Sequence, residues 1–131
     1  MHHYRAAGVL AIPVALLTFA HCGSGTGPRA AIAGFWTSAA PPSVSWIDFS
    51  LYNAANGIQG TGQEYIDLSR FDSLTVVGRW NADGTFHLNL VFANTSSATY
   101  DGALVGSNAL DGTFIRNGQS SPHFAFYRQA Q

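Results

Sequence analysis

The sequence predicts an all-β fold, an eight-stranded antiparallel up-and-down β-barrel, and three observations carry that prediction. From Ile32 onward apolar and polar residues alternate in short runs, the period-2 signature of strands with one buried face. No window of a dozen residues sustains a helical period of 3.6. The runs are broken at short intervals by Gly, Asn, Asp, Ser and Pro, so consecutive strands are joined by tight links. Sequential strands with short links fit a barrel, because closing the sheet removes the two edges that would otherwise pair with other chains. A two-sheet β-sandwich is the alternative.

The candidate strands cover 32–37, 45–54, 57–69, 72–81, 85–93, 97–106, 109–117 and 123–129. Asn53–Gly57 and Asn81-Ala82-Asp83-Gly84 supply residues that tolerate positive φ, as hairpin loops require. Gly106-Ser107-Asn108 and the segment Asn117 to Pro122 are further turns, and Ala39-Ala40-Pro41-Pro42 reads as a longer, stiffer loop. Alternation also assigns the inner face. Ile47, Phe49 and Leu51 share one side, as do Leu74, Val76, Gly78 and Trp80; Phe86, Leu88, Leu90 and Phe92; Tyr100, Gly102 and Leu104; Leu110, Gly112 and Phe114; and Phe124 and Phe126. An eight-stranded barrel lined this way either fills itself or holds one small apolar molecule. Trp80, Tyr100 and Phe92 are the aromatic candidates for lining such a ligand.

Residues 1–21 read as a signal peptide: His2, His3 and Arg5 precede an apolar run from Ala6 to Ala20 that falls short of a bilayer span and contains Gly8 and Pro13. Cleavage after Ala20, or just before Cys22 with acylation of its thiol, are the two readings. The second resembles a bacterial lipoprotein signal, with His21 and Phe19 departing from the usual residues before the cysteine. Residues 22–31 then form a linker carrying the lipidated Cys22, and 32–131 form one domain, since roughly 110 residues support a single modest core. With one cysteine, no intramolecular disulfide is available.

The net charge is −1, charged residues make up 10% of the chain, and all six basic residues are arginines. That balance leaves no basic footprint for nucleic acid. The five histidines lack ligand spacing with a third donor, no Gly-x-Ser-x-Gly elbow occurs, and the Asp-Gly dipeptides lack calcium-loop spacing. No metal, cofactor or catalytic residue is assigned, and the chain is read as a non-enzyme.

Gly34-Phe35-Trp36 in the first strand, taken with Arg128 in the last, resembles the calycin pattern of lipocalins and avidins. The resemblance implies that the Trp36 indole packs at the barrel base under the Arg128 guanidinium. The glycines of Gly60-Thr61-Gly62, Gly78, Gly102 and Gly112 look like avidin-type strands, where they relieve crowding at barrel bends. No biotin-binding set of polar residues is matched.

Two further features bear on ligands. Glu64 has inward parity if its strand runs uninterrupted, which places a carboxylate at an apolar lumen's mouth, where it would need a positive partner or a raised pKa. A bulge at Gly60 or Gly62 would instead turn it to solvent. Trp46 and Tyr52 have outward parity with Asp48 and Ser50 between them, an aromatic surface patch suited to sugar or protein contacts unless the Pro41-Pro42 loop covers it. Together these features read as an exported, lipid-anchored barrel that binds a lipophilic small molecule or envelope component. The alternative is a structural or protein-interaction lipoprotein whose barrel is fully packed. Membrane contact is expected only through the anchor.

Overall fold

A computed structural model describes residues 28–39 and 45–130. The leader, Cys22 and the Pro41-Pro42 loop lie outside the described residues. One helical turn, α1 (Pro28–Ala31), precedes eight strands: β1 (Gly34–Thr37), β2 (Trp46–Ala54), β3 (Gly57–Asp67), β4 (Arg70–Trp80), β5 (Phe86–Phe92), β6 (Ser97–Val105), β7 (Ala109–Arg116) and β8 (Gln119–Arg128). Each strand pairs antiparallel with its sequence neighbour, and β8 returns to β1, so the sheet is a closed up-and-down barrel. The sandwich alternative is excluded by that closing pair. Among the described residues, no helix is long and apolar enough to cross a membrane.

Most strand boundaries move by one or two residues from the sequence reading, β4 beginning at Arg70 and β3 ending at Asp67, and the first and last strands depart in ways that shape the barrel ends. Ile32 is no strand residue; it follows α1 and is fully buried. The last strand starts at Gln119, ahead of the expected 123, because Pro122 and His123 sit where the β7–β8 register shifts between Gly112 and Phe114. A bulge there leaves no ladder position for a proline to spoil, and His123 takes a positive φ of 55°.

The inward stripes meet along the barrel axis. Trp36, Phe49, Leu51, Ile58, Phe86, Leu88, Leu90, Phe92, Tyr100, Leu110 and Phe126 are buried in one continuous cluster. Phe126 touches both Phe49, with centroids 4.6 Å apart, and Tyr100, edge-on at 5.1 Å. This aromatic chain fills the middle of the barrel from wall to wall.

Strand direction gives the barrel two unlike ends. At the base lie α1, the β2–β3, β4–β5 and β6–β7 turns, and the end of β8. At the mouth lie the end of β1, the start of β2 and the β3–β4, β5–β6 and β7–β8 turns. The tight β3–β4 turn is fixed by Asp67, whose carboxylate accepts from the Ser69 amide (2.8 Å), the Arg70 guanidinium (2.7 Å) and the Ser69 hydroxyl (2.8 Å). Those donors hold its pKa below the ordinary carboxylate value.

Candidate functional site

The base is built around Trp36. Its indole nitrogen donates to the Ile32 carbonyl at 2.9 Å, and the Arg128 guanidinium lies over its ring at 4.3 Å. Arg128 donates from Nε to the Ser107 carbonyl (2.9 Å), from Nη1 to that of Ala33 (2.8 Å), and from Nη2 to that of Ala31. The cation is thus satisfied by backbone dipoles and a ring face, without a carboxylate. Gly34 is the residue this arrangement requires: its φ is +140°, and a side chain there would fall on the Arg128 guanidinium.

Glu64 lies at the opposite end. The β2–β3 and β3–β4 ladders run in register through Gly60 and Gly62, and the irregularity comes later, between Tyr65 and Asp67. The bulge that would have turned Glu64 outward is therefore absent from those two glycines, and the carboxylate keeps its inward parity. Its side chain is 16% exposed and pairs with Arg116, itself 26% exposed. Arg116 also lies over the Phe92 ring at 4.0 Å and donates to Ser96 Oγ at 3.3 Å.

Sequence reasoning missed Arg116, although the signal was present: Leu110, Gly112, Phe114 and Arg116 continue one inward stripe. Two opposite charges placed on inner stripes of different strands are the pattern to search for. Around the pair lies a hollow of about 250 Å³ lined by Ser38, Trp46, Ile47, Tyr65, Phe114 and Phe124, among others. Phe114 and Phe124 stack beneath it, with centroids 4.8 Å apart. The mouth is therefore a shallow cup with an aromatic floor and one ion pair.

The other ligand candidates do not converge on this cup, except for Phe92. Tyr100 is fully buried at mid-barrel and donates to the Phe124 carbonyl at 2.7 Å. Burial, with a smaller contribution from the Asp111 charge, pushes its phenol well above its ordinary value. Trp80 lies at the base, edge-on to Phe86 at 5.7 Å, with its indole donating to Asn53 Oδ1 at 3.0 Å.

The outer patch requires a correction. Trp46 is only 8% exposed, because the β2–β3 register sets Tyr65 directly opposite and the two rings stack at 4.3 Å and 12°. Its indole nitrogen donates to Asp48 Oδ2 at 3.1 Å. Tyr52 is exposed at 52% and hydrogen-bonded to Gln59 at 3.0 Å, so the two aromatics form no common surface. Asp48, expected only as a polar neighbour within that patch, has its Oδ1 buried without a partner beside an outer hollow of about 270 Å³ shared with Phe35, Thr61, Gln63 and Tyr65.

Among the described residues the two histidines do not gather: His87 pairs with Asp101 at 2.6 Å and His123 with Asp111 at 3.5 Å. Among the described residues, no group of three metal-ligating side chains occurs. No family model, no curated protein and no solved structure matches this chain.

Proposed function

We propose that the chain is an exported, lipid-anchored, non-catalytic binding module of calycin type, taking its ligand at the mouth cup and not along the whole lumen. The observation that carries this reading is the half-buried Glu64–Arg116 pair set over the stacked Phe114 and Phe124 rings. Such a cup offers an apolar floor for a small lipophilic body and a charged rim for its polar end. Because Tyr100, Phe126 and Phe49 occupy the axis below, only a short apolar portion would enter. The Gly34, Trp36 and Arg128 cluster supports the calycin assignment, and the leader with Cys22 supports export and anchoring.

Native mass spectrometry of the chain, purified gently after exposure to envelope lipid and metabolite extract, tests the reading. The expected spectrum carries a discrete adduct that is lost on denaturation and at least tenfold depleted by Arg116→Gln or Glu64→Gln. A bare mass in every condition would overturn it. The filled axis, with the exposed Ile66, Leu68 and Phe71 near the mouth turn of β3 and β4, would then favour an interaction lipoprotein that binds only envelope proteins.

A further inference from the structure

A second hollow lies at the base, away from the mouth cup. It has about 440 Å³ and is lined by Arg29, Asn53, Ala54, Ala55, Asn56, Gly57, Arg79 and Trp80. Asn53 organises it: its side-chain amide nitrogen donates to the Arg29 carbonyl, and its oxygen accepts from the Trp80 indole. The Arg29 guanidinium stands 5.8 Å from the centroid of the Trp80 ring. Arg29 and Arg79 are both exposed, and the lining contains no carboxylate.

Charge is distributed unevenly along this side of the barrel. All seven Asp and Glu residues lie within the described residues. On β2 to β4 the carboxylates Asp48, Glu64, Asp67 and Asp72 occupy the mouth half, where Arg70 and Arg116 pair with Asp67 and Glu64. No Asp or Glu pairs with Arg29 or Arg79. Asp83, in the β4–β5 turn at the base, has its Oδ1 engaged by the Thr85 amide and hydroxyl. Asp101 and Asp111 lie on β6 and β7, beside His87 and His123.

The chain also leaves the described structure at this end. Cys22 is six residues before Pro28, a stretch that spans at most roughly 22 Å when fully extended. An acyl group at Cys22 would therefore keep the base near a bilayer surface.

We propose that the Arg29–Arg79 cleft is a docking site for anionic phospholipid headgroups, which seats the barrel base-down with its mouth turned away from the membrane. Two guanidinium groups suit phosphate oxygens, and the Trp80 indole lining the same cleft suits the interface between headgroup and acyl chain. The membrane-proximal geometry rests on the anchoring reading above; the cleft and its charge do not.

The test places the exported full chain on phosphatidylcholine vesicles with and without phosphatidylglycerol. The variant Trp46→Phe is used, so that the remaining indoles are Trp80 and the fully buried Trp36, and a headgroup-labelled quencher lipid is included. Trp80 emission is expected to be quenched several-fold more on anionic vesicles at low salt, with the difference abolished near 0.5 M salt. Arg29→Gln with Arg79→Gln should remove the difference, while Arg70→Gln at the mouth leaves it intact. Equal quenching on both vesicles, or no effect of the double variant, would overturn the proposal.

The mass of the purified chain reports acylation separately. A chain without an acyl group fails the anchoring reading, yet vesicle titration of that same chain still tests the cleft. There the double variant is expected to weaken anionic partitioning by about fivefold per arginine. Loss of vesicle binding in inorganic phosphate at constant ionic strength would instead mark a pocket for soluble anions and overturn the headgroup assignment.

Discussion

Arg128 has a nitrogen for each of three backbone carbonyls and a ring under its plane, so its charge holds the base together without an acidic partner. Substituting Arg128→Met keeps the aliphatic stem and strands the carbonyls of Ala31, Ala33 and Ser107. Urea unfolding should show a loss of about 2–4 kcal/mol, the range for losing several hydrogen bonds to a charged group. Tyr100 shows the other way a polar group is kept inside, with its proton held by burial and by the Phe124 carbonyl. Its folded-state pKa is raised above the ordinary 10.0. The contribution to stability is therefore complete below pH 10 and declines as the unfolded chain begins to release the proton. In stability followed against pH, the Tyr100 contribution should be constant from neutral pH up to about pH 9 and fall by as much as roughly 1.4 kcal/mol per pH unit above 10. In Tyr100→Phe that decline should be much reduced.

Strand by strand, the sequence was legible wherever an inner stripe was unbroken. Phe86, Leu88, Leu90 and Phe92 alternate without exception, and all four are buried. Legibility failed where a residue's state depends on what lies across a ladder. Trp46 has outward parity, as its spacing implied, but parity names a face and not a neighbour, and Tyr65 comes to it only through the register of β2 with β3. Arg116 is 52 positions from Glu64, and the two meet across the mouth because the sheet closes. The β7–β8 bulge was equally hidden, since Pro122 read as the end of a turn when it occupies the one stretch of β8 that makes no ladder pair. The bends themselves left a trace: Gly102 and Gly112 face each other, and a Cβ on Gly112 would meet the Asp101 carbonyl. Only glycine allows the two backbones to nest that closely.

Closure of the whole barrel depends on its shortest seam. β1 pairs with β8 at Trp36↔Arg128 and Thr37↔Tyr127, supported by the Gln129 amide donating to the Phe35 carbonyl at 2.9 Å. β3 and β4, in contrast, pair over nearly their full length. Local opening should therefore begin at the seam. Native-state hydrogen exchange should show the β1 and Gln129 amides exchanging at least tenfold faster than those of Gly60 to Gln63 and Leu74 to Val77. Uniform protection around the barrel would show that the base cluster alone keeps it shut. The seam is also the most distant pairing in sequence, so closing it carries the greatest loop-entropy cost.

The aromatic chain that plugs the lumen also makes the molecule convertible. Phe126 stands between Phe49 and Tyr100, with rigid strands on all sides that cannot easily collapse inward. Trimming it to alanine should cost about 3–5 kcal/mol and leave a dry void. Xenon or benzene should raise the melting temperature of Phe126→Ala and leave that of the parent chain unchanged. A barrel that is solid by virtue of one ring is a single substitution away from being a vessel.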